Sequence, residues 1–149
     1  MPKTDTEIEP SDLDDLTHLE LRAMHQTASS SILFAKFIQW SCLGFAQTLL
    51  FAAVFLVKFS PYPEALIDLT SLAIILLACG TIFILFMYQM WQFNEIRRIR
   101  QIEKHFSSLS QQINHLESRR ERNTERYTML AFKVSVIIAG TVIALTAIQ

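Results

Sequence analysis

Between Asp68 and Glu95 no side chain is charged, and Leu69 to Met87 alone supplies 19 predominantly apolar residues. About 20 such residues in a helix cross a hydrocarbon core about 30 Å thick. This run therefore predicts a membrane span, and what flanks it is constrained in turn. The pattern passes without Gly or Pro into an arginine-rich stretch, Glu95 to Arg126, and a further apolar run, Thr128 to Gln149, follows at once. A third run, Ile32 to Val57, is apolar apart from Lys36, Gln39, Gln47, Thr48 and a few small residues. Charged residues are 18% of the chain, below the roughly one quarter usual for soluble domains. They are segregated outside these runs.

The expected fold is an all-α integral membrane protein with three transmembrane helices. The boundaries read as an acidic arm over 1–30, spans over 32–57, 65–91 and 128–149, and a helical stalk over 92–127. Lys58 to Glu64, with two prolines, is short enough to make the first two spans an antiparallel hairpin. Pro63 suits the first turn of the second helix, where its missing N–H costs nothing. Trp40, Tyr88 and Trp91 are placed for interfacial belts. Lys36 and Lys133 lie about one turn inside their spans and are expected to snorkel to the headgroups.

The arm predicts a short amphipathic helix, capped at Ser11 or Asp12 with Asp14 and Asp15 in its first turn. Leu13, Leu16, Leu19, Ala23 and Met24 recur at helical spacing, opposite Asp15, His18, Glu20, Arg22 and His25. Helices that lie on anionic lipid carry a Lys/Arg face. This one is acidic, so docking on a protein surface, such as the basic stalk, is the expectation.

In the stalk, Ile99, Ile102, Phe106, Leu109, Ile113 and Leu116 follow the three-and-four rhythm of a coiled-coil seam. A straight helix to Leu116 would stand about 38 Å from Trp91, leaving too little chain to return. A turn near Ser107 to Ser110 resolves this, with arms of 92–106 and 111–127 projecting about 25 Å. Eight Lys/Arg in 92–127 against one in 58–64 put the stalk and the N-terminal arm in the cytoplasm and the C-terminal end outside. A cell inner or plasma membrane is the expected location.

No glycine-rich phosphate loop, CxxC, HExxH or GxSxG motif occurs. No catalytic, cofactor or metal residues are therefore expected. His18, His25, His105 and His115 read as exposed helix residues, and Cys42 and Cys79 as small buried hydrophobes. The polar residues inside the spans are more informative. Gln47, Thr81, Gly140 and Thr141 are candidates for a helix-packing seam or, in an oligomer, a pore lining. The pairs Gly140/Ala144 and Ser135/Ala139 have small-xxx-small spacing. No acidic residue lies deep in a span, which disfavours an ion relay. Arg97, Arg98 and Arg100, with Lys36 and Lys133, are candidate contacts for anionic lipid or a partner. Nucleic acid is disfavoured because Glu residues interleave with the arginines.

These features point to a non-enzymatic protein acting by assembly, as an accessory or scaffold subunit. The expected partners are membrane lipid, further copies or a larger membrane complex, and a cytosolic protein received by the arm and stalk. The competing expectation is an oligomeric effector that permeabilises the membrane, toxin-like or serving phage defence.

Overall fold

A computed structural model describes residues 14–61, 63–105 and 119–149. The described residues form three helices: α1, Asp15–Lys58; α2, Pro63–Glu103; and α3, Arg119–Ile148. Each contains a stretch long and apolar enough to cross a membrane. At 1.5 Å per residue α1 is about 66 Å long and α2 about 62 Å, twice the thickness of a hydrocarbon core. Both therefore extend well beyond the bilayer at the same end.

α1 is continuous where the sequence suggests an arm followed by a span. It begins at Asp15, with Asp14 in extended conformation before it, and runs through Ser29 to Ser31 without a break. The Ser11/Asp12 cap lies outside the described residues. The serines do not interrupt the helix because no Gly or Pro joins them, and their hydroxyls can bond within a helix. α1 ends at Lys58, where the N–H groups of Phe59 and Ser60 donate to Phe55 O and Val57 O. α2 starts at Pro63 as its fixed φ favours.

α1 and α2 run antiparallel and touch along their length. His25 Nε2 stands 3.7 Å from Glu103 Oε1 at one end. Phe34 meets Trp91 edge-on at 6.5 Å, and Leu50 and Val57 pack with Ile74 near the other end. The buried stripe of α1 is Ala28, Ala35, Gln39, Leu43, Ala46, Leu50 and Val57. Its spacing of mainly four and three, with two steps of seven, is that of helices crossing at a shallow angle. The alanines let the backbones approach closely, which matters in lipid, where helices associate by packing and not by expelling water. α3 lies beside both, parallel to α1.

The far end of the bundle is dry: Leu50, Val57, Ile74, Ala144 and Ile148 form one cluster, and Leu43, Ala46, Ala78 and Ile137 the next. Residues such as Phe37, Phe45, Phe51, Phe83 and Ile143 point outward as a hydrocarbon-facing surface. Cys79 also faces outward and Cys42 is half-buried, which corrects the expectation that both are buried. The reason is azimuth: Cys79 is next to Ala78 of the core stripe and turns about 100° away from it.

Beyond Trp91, α2 continues to Glu103 and turns at Lys104 and His105, whose N–H donates to Ile102 O. The proposed turn at Ser107 to Ser110, and Phe106, Leu109, Ile113, Leu116 and His115, lie outside the described residues. Of the expected stalk seam, Ile102 is buried and Ile99 half-buried. The arm of α1 packs alongside this part of α2, but not by its predicted apolar face. His25 and the fully buried Ala28 lie against the bundle, whereas Leu16, Leu19 and Met24 are exposed.

Candidate functional site

Gln39, Gln89, Gln92 and Lys133 are each 5% exposed or less, and they gather where the three helices meet at the Trp91 end of the spans. Gln39 belongs to the buried stripe of α1. Gln89 and Gln92 continue the stripe of α2 that runs through Leu85 to Ile96. Lys133 sits between Leu130 and Ile137 on the buried side of α3. Helical periodicity thus forces all four inward, and burial then requires them to find partners.

The partners form a directed chain. Lys133 Nζ donates to Gln39 Oε1 at 2.7 Å. An ammonium has no acceptor, so this bond fixes which end of the Gln39 amide is oxygen. Gln39 Nε2 must then donate, and it does so to Leu85 O at 3.2 Å and to Gln89 Oε1 at 3.4 Å. That fixes Gln89 in turn, with its amide nitrogen directed away. Gln89 Nε2 and Gln92 Nε2 are buried and meet no acceptor among the described residues. Lys133 Nζ also lies 5.0 Å from the centroid of the Trp40 ring, within cation–π range. Lys133 was expected to snorkel outward, and it turns inward instead because a glutamine oxygen and an indole face await it there.

Beside this layer opens a cleft of about 400 Å³, lined among others by Lys36, Trp40, Gln89, Gln92, Arg126 and Lys133. A second cleft of about 480 Å³ lies between α2 and α3, lined by Arg97, Arg100 and Arg126 over Phe86, Met90 and Leu130. Gln89 and Arg126 line both. Tyr88 and Trp91, expected from the sequence to form an interfacial belt, meet edge-on with ring centroids 6.0 Å apart at the same level. Phe93 and Tyr127 close α2 against α3 just beyond it, at 5.5 Å.

The residues picked from sequence are distributed differently. Gln47 Nε2 donates to Val136 O at 3.2 Å and so does join two helices. Its amide lies so close to Gly140 that an added Cβ would come within 2.5 Å of it. Thr81 and Thr141 bond instead to Leu77 O and Ile137 O of their own helices, both at 2.8 Å. The four therefore do not make one polar seam. Ser135 and Ala139 face outward, whereas Ala144 is buried. Arg98 is exposed and stands 3.4 Å from Glu95 on its own helix; Arg97 is exposed and Arg100 half-buried. His18 is exposed.

Gln89 and Gln92 escape a reading by span because they fall where the second span gives way to charge. The signal present in the sequence is positional: they keep step with Ile74, Ala78, Thr81 and Leu85. Comparison of the chain with protein-family models, with curated proteins and with solved structures returns no match.

Proposed function

We propose that this protein acts by assembly, as a non-enzymatic membrane subunit whose cytoplasmic helical arm receives a soluble partner. The observation that carries this reading is the uncovered side of the α1 arm. Leu16 and Leu19 are 66% and 63% exposed, with Met24 beside them. They lie N-terminal to His25, which stands opposite Glu103, and so beyond the charged stretch Glu95 to Glu103 and farther still from the apolar span. An apolar strip held in water on a rigid helix is a docking face of the helix-in-groove kind. Asp15 and Glu20 flank it, so a partner groove with a basic rim fits. The eight Lys/Arg of 92–127 support a cytoplasmic placement of this end, in an inner or plasma membrane. The apolar outer surfaces of the spans suit packing with lipid, further copies or other membrane helices.

The permeabilising effector is the competing reading. A path along the axis of a single bundle would meet the dry layer of Leu50, Val57, Ile74, Ala144 and Ile148, which favours assembly over conduction. The test is native mass spectrometry of the protein extracted into nanodiscs, with and without Leu16→Ser/Leu19→Ser. A fixed-ratio complex with a soluble protein, lost in the double variant, is the expected result. A pure homo-oligomer unaffected by the substitutions, from cells that depolarise when the protein is overexpressed, would move the reading to the effector.

A further inference from the structure

We propose that the cleft between the three helices is a site for a phosphate-type anion, supplied in the membrane by the headgroup of an anionic phospholipid. Three cationic side chains line it, Lys36, Arg126 and Lys133, against one carboxylate, the exposed Glu125. Among the described residues, no carboxylate forms an ion pair with Lys36 or Lys133. The cleft therefore carries an excess of positive charge beside a low-dielectric bundle, where charge is felt strongly.

The glutamines add the specific element. Gln89 and Gln92 are 5% and 3% exposed, and the Nε2 atom of each is buried without an acceptor among the described residues. The Lys133–Gln39–Gln89 chain sets the orientation of Gln89, so its free end is N–H and not C=O. A buried amide donor left unmade costs stability. Two of them on one cleft, with three cations, ask for a ligand that only accepts. A phosphate diester does so through several oxygens at once.

Depth identifies the source. Lys133 lies five residues inside the run that begins at Thr128, about 7 Å along the helix. Trp40 stands beside it, and Tyr88 and Trp91 mark the same boundary. From there the cleft runs outward to Met129, Arg126 and Glu125, so its mouth reaches the level of the lipid phosphates while Lys133 reaches out to it from below. The excess positive charge selects an anionic headgroup over a zwitterionic one. Because the site takes residues from all three helices, it exists only in the folded bundle.

Trp40 is a built-in reporter. The experiment uses the full-length protein with Trp91→Phe, reconstituted in phosphatidylcholine vesicles. Quenching by dibromo-acyl phosphatidylglycerol is compared with quenching by dibromo-acyl phosphatidylcholine at the same minor mole fraction, and circular dichroism verifies that each variant is folded. The expected preference for the anionic lipid is at least about fivefold, the factor one basic residue supplies at a headgroup. It falls to near unity in Lys133→Gln and at least by half in Gln92→Leu. The second substitution is neutral, so diffuse charge attraction does not respond to it. Arg97→Gln/Arg98→Gln, outside this cleft, retains the preference.

Equal quenching by the two lipids in the parent protein would overturn the proposal. So would a preference abolished by Arg97→Gln/Arg98→Gln and untouched by Gln92→Leu, which is surface attraction only. Loss of an oligomer in Lys133→Gln, with lipid preference unchanged, would assign the cleft to a partner's carboxylate and also defeat it. A further arm adds millimolar inorganic phosphate at matched ionic strength. Displacement of the brominated anionic lipid assigns the site to a soluble phosphate, and persistence assigns it to the headgroup.

Discussion

The two ends of this three-helix bundle are built from the same stripes and have opposite interiors. At the far end α1, α2 and α3 contribute Leu50, Ile74 and Ala144 to an apolar cluster, with the small hydroxyl of buried Thr70 one turn from Ile74. At the Trp91 end the same stripes contribute Gln39, Gln89 and Lys133, joined into a chain of hydrogen bonds. The backbone geometry is alike in both, so the difference lies in what each side chain demands of its neighbours. An apolar layer in lipid asks only for contact and tolerates lateral adjustment. A buried polar layer fails as a unit when one member is removed.

The largest test places one charge in each layer. Ile74→Glu puts a carboxyl into the apolar cluster of Leu50, Val57, Ala144 and Ile148, and should cost about 3 kcal/mol or more. It should abolish folded protein by circular dichroism in detergent. Gln92→Glu puts the same group on the cationic cleft and should raise the thermal midpoint. If both lower it alike, the two ends do not differ in the way described.

The next test separates loss of a partner from loss of a charge. Gln39→Leu removes the oxygen that holds the buried Lys133 ammonium and should cost about 2–4 kcal/mol. Adding Lys133→Met should restore at least half of that, because the pair is then replaced by apolar groups. A double variant no better than the single one would show the two side chains to be uncoupled. A smaller contrast concerns two glycines. Gly140→Ala displaces the Gln47 amide from Val136 O and should cost about 1 kcal/mol. Gly80 has nothing within 4 Å of an added Cβ, so Gly80→Ala should stabilise by up to about 1 kcal/mol. Smallest of all, Leu16→Ser/Leu19→Ser should move the midpoint of the isolated protein by no more than about 0.5 kcal/mol equivalent. A larger shift would mean that the strip is already covered.

The sequence was most legible where the physics is one-dimensional. Uncharged length predicts a span whatever its neighbours, and all three spans are helices of the required reach. Pro63 starts its helix for a reason local to the residue. What could not be read is azimuth. Leu16, Leu19 and Met24 form a respectable apolar face, yet α1 presents Ala28 and His25 to the bundle. The winning face was chosen by close approach along the whole of α1, in which Ala35 and Ala46 outvote a few leucines at one end. Lys133 was misread for a related reason. Snorkelling is the default for a lysine with only lipid beside it, and nothing local to α3 announces Gln39 and Trp40.

α1 also has a mechanical character. With no proline or break from Asp15 to Lys58, and Gly44 its one glycine, it behaves as a shaft about 66 Å long. Whatever grips its Asp15 end would hold the apolar span by the same rod. A twist applied at Leu16 is delivered at Gln39, whose amide must then swing off the Lys133 ammonium or drag it along. Torque is thus the form in which the partner proposed for Leu16 and Leu19 would act on the polar layer.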